Sequence, residues 1–304
     1  MSEKSKYIVE DILDNTDNIF EAIHNNDLIN LIRIIFKGIN LNEGDPNEED
    51  ITPIMLASHE GHYEIVEFLL LNGVDVNSTD EYNLTSIRYA CQNGHLDVVK
   101  LLISYGADPN IIDSCDFSPL GMAIDNGYKE IVLELLNYPG IEIEQSCYED
   151  LNIMIKACEL GWTDVVSRLL DLDADIEENE FCDEIPLHMA SQSGHVDLVR
   201  MLLERGAQID SVNEDGNTAL TMASVMGHFN VVKLLLFSGA DIHIMNYENE
   251  KVFEFGGVKN NPEIYELLIN WQLLTILYVM DSFGVSPFNI DFDNICMLQE
   301  YLID

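Results

Sequence analysis

Between Thr52 and Asn77 the chain reads TPIMLASHEGHYEIVEFLLLNGVDVN: an apolar stripe at helical spacing, a Gly-His step, a second apolar stripe and a polar exit. The same order of apolar and polar positions returns from Thr218 to His243 as TALTMASVMGHFNVVKLLLFSGADIH. Starting points at Thr52, Thr85, Ser118, Asn152, Ile185, Thr218 and Lys251 lie 33 residues apart, with 34 between Ser118 and Asn152. Self-similarity at a fixed period of this length marks a stacked repeat architecture. In six of the seven units a glycine stands nine residues in, at Gly61, Gly94, Gly127, Gly161, Gly194 and Gly227. The seventh has Asn260 there, and asparagine is the other residue that readily takes a left-handed conformation. Each unit is therefore predicted to hold a short helix, a glycine stop, a second helix with an apolar pair such as Leu69-Leu70 or Leu202-Leu203, and a glycine exit.

Local chemistry agrees with that reading. Thr or Ser at a unit's start can cap the first helix, and Pro53, Pro119 and Pro186 stand in the first turn, where no N–H is needed. Gly73, Gly106, Gly206 and Gly239 end the second helix. The opening Pro186, Leu187, His188, Ala190, within IPLHMASQSGHVDLVRMLLERGAQID, resembles the ankyrin repeat, as do the copies starting at Thr218 and at Gly94. The resemblance runs from Ile19 to Leu268 and implies an all-α solenoid of stacked helix-turn-helix units with finger loops projecting from one edge. About eight units are expected, capped at both ends because a terminal repeat has no neighbour over its apolar face. The implied organisation is a degenerate first repeat with an acidic insertion in 1–50, repeats over 51–270 and an apolar capping segment in 271–304. The units starting at Ser118 and Asn152 depart most, with Tyr128 and Trp162 where the family has a histidine, so stacking is expected to change between Ser118 and Glu184.

Composition narrows the partner. Against 14 Lys and Arg stand 55 Asp and Glu, a formal charge of −41, in a chain that is 47% hydrophobic and so well able to form a core. Nucleic acid and anionic membranes would be repelled, whereas a basic protein surface is complementary. No signal-like or membrane-length apolar run is present, so a soluble cytoplasmic protein is expected, with secretion as an effector left open. Six dispersed cysteines without a CxxC pair read as reduced thiols.

Candidate chemistry is thin. In the HEGH stretch, His59 to His62, the second histidine and its counterparts His95, His195 and His228 follow the repeat glycines, where the resemblance implies loop-tying hydrogen bonds rather than metal binding. No nucleophile-base pair, phosphate loop or zinc-spaced set stands out, so no catalytic, metal or cofactor residues are assigned. In a repeat protein specificity lies where repeats differ, and the junctions between units carry acids with aromatics. The expected partner-binding residues are Asp80, Glu81, Tyr82, Asp113, Asp116, Phe117, Tyr148, Glu149, Asp150, Glu180, Phe181, Asp183, Glu214, Asp215, Tyr247 and Glu248. The expected function is non-catalytic capture of a basic protein, in its sharpest form stoichiometric inhibition of a nuclease or other basic toxin, of immunity or anti-defence type. Alternatives are an adaptor or secreted effector of a bacterium or virus that binds a host protein, and an enzyme with a site in the irregular middle repeats. The oligomeric state stays open, with a free monomer favoured.

Overall fold

The computed structural model describes residues 18–45, 49–143, 152–177 and 185–282, with side chains to 275. Two compact units divide the chain between Ile153 and Met154, within the stretch where the repeats are least regular. Among the described residues the regular structure is helical, and extended pairing is limited to isolated antiparallel bridges at the necks of the fingers.

In the first unit α1 (Ile19–His24) pairs with α2 (Leu28–Ile35), α3 (Pro53–Glu60) with α4 (Tyr63–Leu71), α5 (Ser86–Asn93) with α6 (Leu96–Ser104), and α7 (Pro119–Asp125) with α8 (Lys129–Leu136). First helices α1, α3, α5 and α7 stack side by side, and α4, α6 and α8 form a second row behind them. The second unit starts within α9 (Ile153–Glu159) and continues with α10 (Thr163–Asp171), α11 (Pro186–Gln192), α12 (Val196–Glu204), α13 (Ala219–Met226) and α14 (Phe229–Phe237). A 3-10 turn at Val252–Glu254, α15 (Gly256–Lys259) and α16 (Pro262–Ser282) follow. Here α11, α13 and α15 make the first row, with α10, α12, α14 and α16 behind.

Sequence explains several helix starts. The hydroxyls of Thr85, Ser118 and Thr218 accept from the backbone N–H three residues on, at 3.4, 3.0 and 3.3 Å, satisfying donors the helix cannot. Asn18 and Asp27 do the same for α1 and α2. First helices are covered on nearly every side, so Pro53 to Ser58 are buried without a break. Second helices bury one stripe, in which Leu69, Leu102, Leu135, Leu169, Leu202 and Leu235 recur with the repeat. Burying a leucine side chain stabilises by about 1.5–3 kcal/mol, so this row is a large part of the cohesion between neighbouring repeats.

The glycine-histidine step works across repeats. Gly194 has φ +81°, and a Cβ there would come within 2.5 Å of His228 Nδ1, so only glycine allows both the turn and the ring lying over it. His228 Nε2 then lies 2.7 Å from the Gln192 carbonyl; His95 and His195 reach the carbonyls of His59 and Glu159 at 2.9 and 2.8 Å. These three rings have the loop-tying role that the resemblance implied. Tyr128 replaces the histidine by laying its own ring over Gly94. His62 differs, since its Nε2 lies 2.9 Å from the Glu60 carboxylate, which also meets His24 Nδ1.

The last repeat departs from expectation. Asn260 has φ −84°, an ordinary right-handed value, because the first helix of that unit is broken into the 3-10 turn and α15. Gly257 there sits against the backbone of α13, where a Cβ would come within 2.9 Å of the Val225 carbonyl oxygen. Helix α16 packs on α14, α15 and the 3-10 turn through Ile264, Leu267 and Leu268, and Trp271 meets Phe237 edge to face at 5.3 Å. It continues to Ser282; residues 1–17 and 283–304 of the expected caps lie outside the described residues.

Candidate partner-binding fingers

Four fingers are described in full, and one local rule builds them all. Asp80, Asp113, Asn213 and Asn246 each turn a side-chain Oδ1 back onto the chain, accepting the N–H groups two and four residues on at 2.8–3.1 Å. Such turns are a property of Asp and Asn, whose short side chains reach their own backbone. Three residues past each anchor the chain must become left-handed, and Asn83, Asp116, Gly216 and Asn249 do so with φ of 61°, 62°, 80° and 62°. The residues that replace glycine at the tip are therefore ones that tolerate this conformation. Neighbouring fingers are joined through backbone bonds: Glu81 N–H to the Glu49 carbonyl at 3.2 Å, Ser114 to Tyr82 at 2.8 Å and Tyr247 to Asp215 at 3.0 Å.

This geometry sorts the residues expected to meet a partner. Glu81, Tyr82, Asp116, Glu214, Asp215, Tyr247 and Glu248 are exposed, and Phe117 is half-buried. Asp80 and Asp113 are buried, with both oxygens occupied inside the protein. Tyr89 Oη donates to Asp80 Oδ2 at 2.7 Å, while Arg88 Nε and Nη2 donate to Asp113 Oδ2 at 3.2 and 3.0 Å. Burial, then the bond to Asp80, pushes the Tyr89 hydroxyl well above its ordinary range. These two carboxylates shape the fingers and are turned away from solvent. Tyr148, Glu149, Asp150, Glu180, Phe181 and Asp183 lie outside the described residues.

Sequence reading missed the anchors Asn213 and Asn246 and the clamp Arg88. The signal was present as Asp or Asn recurring at the repeat spacing, 80 with 113 and 213 with 246. Electrostatically the tips are one-sided. Residues 49–50, 81–83, 114–116, 214–216 and 247–249 include Glu49, Asp50, Glu81, Asp116, Glu214, Asp215 and Glu248 but no Lys or Arg. Tyr82 Oη donates to Glu49 Oε1 at 3.3 Å, and the charge of Glu49 is the first cause holding that phenol above its usual value. Cations stand elsewhere, with Lys100 and Arg200 exposed on second helices.

Of the described thiols, Cys91 and Cys158 are withdrawn from solvent and Cys115 is exposed at a finger tip. Burial pushes the Cys158 thiol up to about 12 and raises that of Cys91 further, which leaves both as inert core residues. Among the described residues no three His, Cys, Asp or Glu side chains gather closely enough to hold a metal ion.

Helix pairs repeated every 33 residues, glycine-seated histidines and hairpin fingers define a repeat-built binding scaffold. A family model described as ankyrin repeats (3 copies) matches residues 19–113, 69–147 and 153–246, and the chain belongs to that family. Among solved structures it is similar to the ankyrin repeat domain of Bcl-3, described as a unique member of the IkappaB protein family. The identity is 26%, the TM-score 0.57, and the match covers 68% of this chain and 94% of that one. A search of curated proteins gave no significant match. Ankyrin repeats generally mediate protein–protein binding and are typically non-catalytic scaffolds. None of the described helices is long and apolar enough to cross a membrane.

Proposed function

We propose that the finger edge captures a basic protein surface, in its sharpest form as a stoichiometric inhibitor of a nuclease or other basic toxin. The observation that carries this reading is the complete separation of charge at the described tips: exposed acids on successive fingers and no Lys or Arg among them. Carboxylates so placed repel one another, and a cationic partner relieves that repulsion while being steered onto the edge. A nucleic-acid-binding cleft is the commonest strongly basic target, which favours the nuclease form. Rigid tips, held by the anchors and tied finger to finger, reduce the ordering cost on binding.

The test is capture from a lysate of the source organism at low salt and again at about 0.5 M, where charges are screened within a few ångströms. Wild type should retain one basic protein at one-to-one stoichiometry through the wash. The variant with Glu81, Asp116, Asp215 and Glu248 all changed to Lys should lose it while keeping its helical circular dichroism. Equal capture by that variant would overturn the reading.

A further inference from the structure

The fingers of the second unit show apolar surface as well as acid. Tyr247 is 71% exposed, Met245 51% and Val212 38%. Val212 and Met245 hold the same place in neighbouring fingers, one residue before the anchors Asn213 and Asn246, and pair with Thr218 and Lys251 in the antiparallel bridges. The corresponding first-unit positions hold Thr79, which is exposed but polar, and Ile112, which is apolar but half-buried. Exposed acids stand between and beside them, at Glu214, Asp215 and Glu248.

Tyr247 is seated, not loose. Its N–H is bound to the Asp215 carbonyl, and a Cβ added at Gly216 would fall 2.8 Å from Tyr247 N and 3.0 Å from its Cδ1. The one tip glycine in the four described fingers is thus the one over which an aromatic ring lies; the tips at Asn83, Asp116 and Asn249 carry side chains. Tyr82, by contrast, is 45% exposed and has its hydroxyl on Glu49. The cation nearest in sequence is turned aside, since Lys251 Nζ stands over the Phe253 ring at 6.0 Å.

We propose that the finger pair 212–217 and 245–250 is the anchoring point of the partner, and that its occupant is a cationic segment with apolar side chains, such as a basic amphipathic helix. The inference rests on the finger edge being the binding surface and adds where the affinity lies. Three apolar side chains held in water gain only when covered, and an aromatic fixed in place is the usual energetic centre of an interface. The acids around them select the occupant: Lys or Arg can meet carboxylate and ring face together, whereas an acidic segment meets only repulsion. Met245, two residues before Tyr247 in the same finger, adapts to varied apolar shapes.

The test is fluorescence anisotropy of the full chain with two synthetic peptides of equal charge, one of lysine and leucine with leucines at helical spacing, the other of lysine and glycine. Wild type should bind the lysine–leucine peptide more tightly. Tyr247→Ala and Met245→Ala should each weaken that peptide by about 10-fold, the loss expected at an aromatic or apolar anchor; the lysine–glycine peptide should be unchanged by Met245→Ala and weakened only about 2–5-fold by Tyr247→Ala, through the lost ring face. Unaltered lysine–leucine affinity in both variants would overturn the proposal and leave the acidic-edge reading standing. Binding of both peptides that survives the four tip-acid reversals would defeat the acidic-edge reading itself. Thermal unfolding of each variant alongside wild type separates a lost contact from a lost fold.

Discussion

Arg88 in the first unit and His188 in the second occupy the same place in their repeats, and both reach the finger that follows. Arg88 holds the Asp113 carboxylate; His188 Nε2 lies 2.9 Å from the Ser211 carbonyl. The backbone they support is the same, since Asp113 and Asn213 both take two N–H groups and both fingers turn left-handed three residues later. What differs is charge. First-unit anchors are buried carboxylates clamped by Arg88 and Tyr89, whereas second-unit anchors are neutral amides. Acids in a finger sequence are therefore of two kinds: some are internal struts, and only the remainder make the outward field.

Breaking the clamp gives the largest expected effect. Arg88 and Asp113 side chains are 8% and 5% exposed, so Asp113→Ala leaves a guanidinium buried without its counter-charge and should cost about 3–5 kcal/mol. Exchanging acid and amide between the two anchors separates charge from backbone geometry. Asp113→Asn keeps the backbone bonds but not the ion pair and should cost about 1.5–3 kcal/mol, while Asn213→Asp keeps every acceptor and should cost under about 1 kcal/mol. Urea midpoints and hydrogen exchange of the finger amides at Cys115 and Asp215 report both. Equal costs for the two exchanges would mean that the anchors are interchangeable and the clamp structurally idle.

Tip glycine comes next in size. Gly216→Ala must hold φ near +80° and place a Cβ against the Tyr247 backbone, so it should destabilise by more than the roughly 1–2 kcal/mol of a left-handed side chain alone. Asn249→Gly, at the same place one finger on, should lie within a few tenths of wild type. The pair separates the two demands on this position, conformation at both tips and close approach at Gly216 alone. Matching urea midpoints for the two variants would show that Tyr247 gives way freely.

Sequence made the period, the helix pairs and their caps legible because those depend on local spacing: Thr85, Ser118 and Thr218 cap, and Gly194 stops, for reasons carried within a few residues. Which way a finger acid points is not local. Asp113 and Asp116 look alike in DSCDF, yet one is directed inward by an arginine 25 residues earlier and the other is exposed on a left-handed backbone. Asn260 shows the same limit, since the strong pattern of six preceding glycines assigned it a conformation that the broken first helix of its unit does not need.

The smallest effect concerns pH and again sets Arg88 against His188. Burial disfavours the imidazolium of His188 and holds its pKa below the ordinary 6.5, with the bond to the Ser211 carbonyl only partly opposing the shift. The unfolded chain therefore binds this proton more readily than the folded one. Stability should be unaffected by His188 above 6.5, fall as pH drops through that value, and level off once the pH is below the folded-state pKa. Arg88 keeps its charge throughout, so the corresponding first-unit finger has no such dependence from its clamp. Most carboxylates titrate nearer pH 4, and the other histidines are common to both proteins, so wild type minus His188→Gln isolates the effect between about pH 7.5 and about pH 5.5. Wild type should lose more stability over that interval than the variant, by up to about 1.4 kcal/mol for each pH unit separating the two pKa values. Parallel urea curves at the two pH values would mean that the buried ring accepts its proton in place, with the Ser211 carbonyl as a sufficient partner for the cation.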